Sequence, residues 1–259
     1  MTTSVTYTLL DPTGNITLLV ETPVPEASQP LVAKTLMALE PETEQVGFVS
    51  YERGEHRLRM AGGEFCGNAS MSAAALQLLR EGRTEGIVAL RVSGAPEPVT
   101  VVLKARGENA WSGTVTMPRP LSVGKEHFPD GRALPVVRFP GIAHVILEEN
   151  PDLKQAEQLA PVWCRELGAE ALGLMFLDRE KKELKPLVYV PEAETLFWES
   201  SCASGTTAVG AYFAAASGEK VCLPLTQPGG TLEIAAEPEG TLLLTGAVHI
   251  LRRVADVTV

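Results

Sequence analysis

The chain has 259 residues, more than one average domain and fewer than two comfortable ones. Hydrophobic residues make up 45% of it, which excludes disorder by composition, and a net charge of −10 with no basic block argues against a nucleic-acid or anionic-membrane partner. Aromatics are only 5%, against 23 glycines and 19 prolines, a mix that favours strands joined by turns over a long helical bundle. Met1 to Leu10 lacks the basic start of an export signal, and no apolar run reaches the roughly 18 residues of a membrane span. Four cysteines (Cys66, Cys164, Cys202, Cys222) form no C-x-x-C pair and are too few for a disulfide framework in a chain this long. A cytoplasmic protein with reduced thiols is the expectation.

Val5 to Val20 reads as a hairpin, with strands Tyr7 to Leu10 and Ile16 to Val20 around the turn residues Asp11-Pro12-Thr13-Gly14-Asn15. Pro30 suits a first helical turn, and Leu31, Leu36 and Leu39 suggest a short amphipathic helix. Strands are expected at Val46 to Tyr51, Arg57 to Met60, Val99 to Leu103 and Trp111 to Met117. Met117-Pro118-Arg119-Pro120 breaks the pattern and opens a looser, charged stretch through Arg132. A domain boundary is placed there, giving a first lobe of residues 1–120, completed by about 251–259, and a second of residues 121–250. The second lobe shows strands at Val136 to Phe139 and His144 to Leu147, then a helix from Leu153 to Leu167 that Pro161 should kink or divide. Strands follow at Gly173 to Leu177, Leu187 to Val190, Leu232 to Ile234, Leu242 to Thr245 and Ala247 to Leu251.

One internal echo stands out. Cys66-Gly67-Asn68-Ala69-Ser70 and Cys202-Ala203-Ser204-Gly205-Thr206 each open an Ala-rich helix, closed near Gly82 and Gly218. The interval from cysteine to glycine is 16 residues in both, and the cysteines lie 136 residues apart, about half the chain. Two similar halves, each presenting a cysteine at the start of a buried helix, is the simplest reading.

A helix N-terminus favours a thiolate, so it can draw a thiol below its usual value of about 8.5. Its unpaired N–H groups are also an anion site. Asn68, Ser70, Ser204 and Thr206 are short polar residues suited to cap and line such ends. If two of them face one another, a carboxylate can be held between two thiols, one able to remove a proton from an α-carbon and the other to deliver one. No metal or pyridoxal cofactor is required. Against this, a cysteine is more often core packing than catalysis, which is the reading kept for Cys164 and Cys222. A disulfide between Cys66 and Cys202 on oxidation is the other alternative.

These residues resemble the diaminopimelate epimerase family of cofactor-independent, two-cysteine racemases. The resemblance rests on Thr13-Gly14-Asn15, Glu44-Gln45-Val46, Glu64-Phe65-Cys66-Gly67-Asn68, the Cys202 motif, Gln227-Pro228-Gly229-Gly230 and Thr245-Gly246. It implies an α/β (α+β) fold of two pseudo-symmetric domains, each a mixed β-sheet or barrel around a central helix, with the active site in the cleft between them. It further implies Cys66 and Cys202 as catalytic residues, with Gly67, Asn68, Ala203 and Ser204 on the α-carboxylate. Asn15 and Gln45 are implied as further substrate contacts, and His144 and Glu199 as groups that tune the thiols. Members are often homodimers.

The departures are at the substrate. Ser200 stands where the epimerase has an arginine, while Ile142 and Met60 fall at asparagine positions. A pocket without these groups is not built to desolvate a second carboxylate and ammonium. The sequence is more similar to the histidine racemases that supply D-histidine for staphylopine-type opine metallophores, sharing Pro12 to Thr17, Glu44 to Phe48, Glu64 to Ala69 and Trp198-Glu199-x-Ser-Cys. That similarity makes Glu44 a candidate partner for the imidazole or ammonium of a histidine substrate. The expectation is a histidine racemase acting on a small amino acid. Its alternatives are a diaminopimelate epimerase and an amino-acid-binding module that kept the cleft without the chemistry.

Overall fold

Two helices made largely of Ala, Gly, Ser and Thr are narrow enough to run through the inside of strand layers, and the rest of the fold is arranged around them. The computed structural model describes residues 4–52, 54–192 and 195–259. It is a mixed α+β structure dominated by strands, divided into two compact units: the chain up to Thr116 with Thr245–Val259, and Met117–Leu244.

In the first unit β1 (Ser4–Asp11) and β2 (Thr17–Val20) form the expected hairpin, followed by α1 (Gln29–Leu39), β3 (Gln45–Glu52) and β4 (Glu55–Met60). Then come α2 (Gly67–Arg80), β5 (Glu85–Val92), β6 (Val99–Gly107) and β7 (Ala110–Thr116). Strands β1 to β7 pair in sequence order, and the last strand of the chain joins β7 back to β1, closing a ring. Neighbours are antiparallel except β2–β3 and β4–β5. Parallel neighbours need a crossover, and these are the two places where a helix intervenes. α1 makes the first crossover, and α2 makes the second against β2, β5, β6 and β7. From Gly67 to Leu76 every residue of α2 is buried, as a helix with no polar face must be.

The second unit follows a similar order, strands then a helix twice over, with an extra strand before each helix. β8 (Ser122–His127), β9 (Ala133–Phe139) and β10 (Ile142–Leu147) lead to α3 (Leu153–Glu166). β11 (Leu172–Asp178), β12 (Glu183–Val190) and β13 (Thr195–Trp198) lead to α4 (Ala203–Ser217), and then β14 (Val221–Gln227) and β15 (Gly230–Ala236). The strand order is β8-β9-β10-β11-β12-β14-β15, with β13 beside β12. The parallel pairs are again those spanned by helices: β10–β11 across α3 and β12–β14 across α4. α4 packs among β8, β9, β10, β11, β14 and β15. β16 (Leu242–Thr258) is one strand rather than the two expected within it.

Some expectations are corrected. The buried stripe of α1 is Gln29, Val32, Ala33 and Leu36, whereas Leu31 is 71% and Leu39 54% exposed. The helical phase turns those two leucines to solvent. Pro161 does not divide α3, because Ala156, Ala160, Trp163 and Cys164 on either side of it pin one face into the core with Leu172, Leu174 and Leu187. The stretch after Met117 is less loose than its charges suggest, since β8 is a polar strand paired with β9. β5 also escapes a pattern reading, because Ile87 and Ala89 place apolar residues on its exposed face. No helix among the described residues is long and apolar enough to cross a membrane.

Leu78 and Leu79 test the enclosure of α2 from adjacent positions. Leu78 is fully buried and Leu79 is 42% exposed. Leu78→Ala should cost about 2–5 kcal/mol in urea unfolding, as large-to-small core changes do. Leu79→Ala should cost less than about 1 kcal/mol, in keeping with a surface change. Equal losses would contradict a buried helix.

Candidate active site

Both cysteine-led helices begin in the same way. Cys66 precedes α2 in extended backbone (φ −132°, ψ 116°), and its Sγ accepts the N–H of Ala69 at 3.4 Å. Cys202 precedes α4 (φ −121°, ψ 108°), and its Sγ accepts the N–H of Gly205 at 3.4 Å. Each cysteine is therefore the N-cap of its helix, a role usually taken by Ser, Thr, Asp or Asn. A neutral sulfur is a poor acceptor for this purpose, but a thiolate gains from the donors and from the helix dipole. Four residues on, a hydroxyl returns to the cysteine carbonyl: Ser70 Oγ to Cys66 and Thr206 Oγ1 to Cys202, both at 2.7 Å. Ser70 and Thr206 thus brace the first turn from within, and the cysteines themselves do the capping.

In the first unit the residues gathered at Cys66 come from the β1–β2 turn and the start of β3. The Cys66 thiol donates to Gln45 Oε1 at 3.0 Å. Gln45 Nε2 donates to Thr17 Oγ1 at 2.7 Å and to Asn15 Oδ1, which fixes the amide with its oxygen towards the sulfur. Asn15 Nδ2 in turn donates to Glu44 Oε2 at 2.5 Å. Asn15, Glu44, Gln45 and Cys66 are thus one hydrogen-bonded chain, beside Gly67 and Asn68 in the buried first turn of α2. Asn15 is buried and Glu44 is exposed.

In the second unit His144 projects from β10 and is completely buried. Its Nε2 lies 3.0 Å from Ser204 Oγ, and Ser204 Oγ lies 3.6 Å from Cys202 Sγ. His144 Nδ1 is buried with no hydrogen-bond partner among the described residues. It stands against Gly173 of β11, where an added Cβ would come within 2.2 Å of that nitrogen. Burial alone pushes the His144 imidazole down to about 3, so it is neutral across the physiological range. The Cys202 thiol is raised well above its usual value, first by burial and then by the charge of, and a hydrogen bond to, Glu199. Ser204 and the Gly205 N–H pull it back down. The drop expected from the helix terminus is therefore outweighed at Cys202 by desolvation and a neighbouring carboxylate.

His144, Glu199, Cys202, Ala203 and Ser204 all belong to this second cluster, with Ala203 in the first turn of α4. Cys164 and Cys222 lie apart in role: Cys164 is buried core, its thiol donating to the Ala169 carbonyl at 3.2 Å, and Cys222 is exposed on β14. All four cysteines are free thiols. Three participants were not singled out as site residues from the sequence. Thr17 holds Gln45, Gly173 makes room for His144, and Gln227 accepts the Cys202 N–H at 2.9 Å while donating to Thr206 at 2.9 Å. Thr17 and Gln227 do lie inside motifs that carry the family resemblance, so a signal was there. Gly173 leaves none in a single sequence.

Comparison with known proteins gives a consistent picture. Residues 4–254 match the family model described as the histidine racemase CntK N-terminal domain. A histidine racemase of Fusobacterium nucleatum subsp. nucleatum (strain ATCC 23726) is 33% identical over 255 residues, covering 93% of each chain. One from Staphylococcus aureus (strain Mu50) is 27% identical over 253 residues, covering 89% of this chain and 88% of that one. A solved structure of a "predicted epimerase" from Pseudomonas aeruginosa has a similar fold, with a TM-score of 0.71 at 18% identity over 98% of this chain and 99% of that one.

The buried imidazole makes a pH prediction for stability. Its folded value of about 3 lies below the unfolded value of 6.5, so its contribution is intact above 6.5 and is lost as pH falls towards 3. The urea midpoint should drop between pH 7 and pH 4, and His144→Gln should show a smaller drop over that window. An undiminished drop in the variant would contradict a neutral, buried imidazole.

Proposed function

Because the chain belongs to the histidine racemase family, we propose that it inverts the α-carbon of histidine without a cofactor, using Cys66 and Cys202 as its two acid/base groups. The observation that carries this reading is the matched pair of cysteine N-caps, each sulfur aligned with backbone donors at a buried helix start. One thiolate removes the Cα proton, and the other thiol protonates the opposite face. Charge that develops on the substrate carboxylate is stabilised by the N–H groups at the helix ends, through Gly67 and Asn68 on α2 and Ala203 and Ser204 on α4.

The burial that raises Cys202 fits both of its turns in this cycle. It keeps the proton in place until substrate arrives, and it makes the thiolate a stronger base once formed. His144 and Glu199 tune Cys202, while Asn15 and Gln45 contact the substrate, Gln45 also orienting the Cys66 thiol. Glu44 meets the imidazole or ammonium through the carboxylate that already holds Asn15. Reduced thiols at both positions suit a cytoplasmic enzyme. The D-histidine product would supply an opine metallophore, and a homodimer is the assembly that the resemblance implies.

Purified protein should racemise L-histidine and D-histidine and leave diaminopimelate essentially unchanged. Cys66→Ala and Cys202→Ala should each lower kcat/KM by about 10²–10⁴, the span of one general acid/base group, or more. Full activity in either variant removes the two-thiol mechanism. Preference for diaminopimelate overturns the substrate, and histidine binding without Cα exchange would mark a binding module instead.

A further inference from the structure

We propose that Ser204, locked by His144, is a positioning residue that aims its hydroxyl hydrogen at the Cys202 sulfur and so sets how readily that thiol ionises. This rests on the reading of Cys202 as one of the two acid/base groups. It adds a role for the Ser204 side chain to the carboxylate-binding role of its backbone.

The direction of the hydrogen bonds follows from the unpartnered nitrogen of His144. A neutral imidazole carries one N–H, on Nδ1 or on Nε2. With the proton on Nδ1, a buried donor faces Gly173 with nothing to receive it. With the proton on Nε2, the orphan is a buried acceptor. Orphaned buried N–H groups are the rarer of the two in proteins, and an unmet donor carries its full desolvation cost. The Nε2–H tautomer is therefore the stable one, and it donates to Ser204 Oγ across 3.0 Å. Ser204 then keeps its own hydrogen for another acceptor, and Cys202 Sγ lies 3.6 Å away, within reach of a sulfur hydrogen bond.

The sulfur thus collects two donors, the Ser204 hydroxyl and the Gly205 N–H, and both strengthen as negative charge forms on it. Glu199 opposes them, by its charge and by accepting from the protonated thiol. Among the described residues, the titratable groups facing this sulfur are Glu199 and, through Ser204, His144. Val137, Phe139, Ile146 and Met175, packed in the same cluster from β9, β10 and β11, bring no charge. His144 stays neutral throughout, so it acts by fixing a direction and is not the store of the proton.

The test follows alkylation of each cysteine by iodoacetamide, read by peptide mass spectrometry on the full protein without substrate. Below the ionisation midpoint the rate tracks the thiolate fraction. Ser204→Ala should slow Cys202 alkylation about tenfold at fixed pH, equivalent to an upward shift of about one pH unit, and leave Cys66 unchanged. Ser204→Thr and Ser204→Val form a second pair of nearly equal shape. Threonine should restore the wild-type rate and valine should match alanine. The high-pH limb of kcat/KM should move by the same interval. An unshifted Cys202 midpoint in the alanine and valine variants overturns the proposal, as does a loss of activity with no movement of the pH profile. Because alkylation needs no substrate, this outcome is independent of whether histidine proves to be the amino acid racemised.

Discussion

The interaction on which this chain depends is that between a cysteine sulfur and the unpaired N–H groups at the start of a helix. It requires extended backbone at the cysteine, helical backbone immediately after it, and no bulk in the first turn. Both units meet those conditions, with Gly67-Asn68-Ala69-Ser70 in one and Ala203-Ser204-Gly205-Thr206 in the other. The surrounding sheets follow from the same need. A helix buried on every side suits small or apolar residues, and a crossover between parallel neighbours is one way to carry it there. α2 and α4 occupy such crossovers, β4 to β5 and β12 to β14.

The two sulfurs share a cap and a bracing hydroxyl and differ in their side-chain neighbours. At Cys66 an amide is held with its oxygen inward, because Thr17 and Asn15 take the hydrogens of its nitrogen. That arrangement receives the hydrogen of the thiol. At Cys202 a hydroxyl and a backbone N–H favour the anion, while desolvation and Glu199 favour the thiol. On the two-thiol proposal, each cysteine serves as acid in one direction and base in the other. The two donors around Cys202 moderate, without reversing, the upward push of burial and Glu199.

Much of this was legible from residue order. The repeated interval from cysteine to glycine located both central helices, because Gly82 and Gly218 take the left-handed backbone (φ +65° and +70°) that ends them. The β1–β2 hairpin was equally plain, since its turn residues leave little choice. Two strands were hard to read for one physical reason: local pattern reports burial only where one face is wet and the other dry. β8 is polar at an edge and β5 is apolar on both faces, so neither alternates cleanly. The orientation of Ser204 could not be read at all. It depends on a nitrogen of His144 left without a partner by Gly173, a relation across two strands and a helix that no spacing encodes.

The most direct measurement is the optical signal of a single enantiomer of histidine racemising in deuterium oxide. With two bases, the product gains deuterium at Cα from the second thiol while unreacted substrate keeps its hydrogen. The reverse reaction then breaks a slower bond, so the signal should cross zero, overshoot to the opposite sign and decay back. A signal that falls monotonically to zero, with the original hydrogen retained in the product, would mean that one group handles both faces, contradicting the pairing of Cys66 with Cys202.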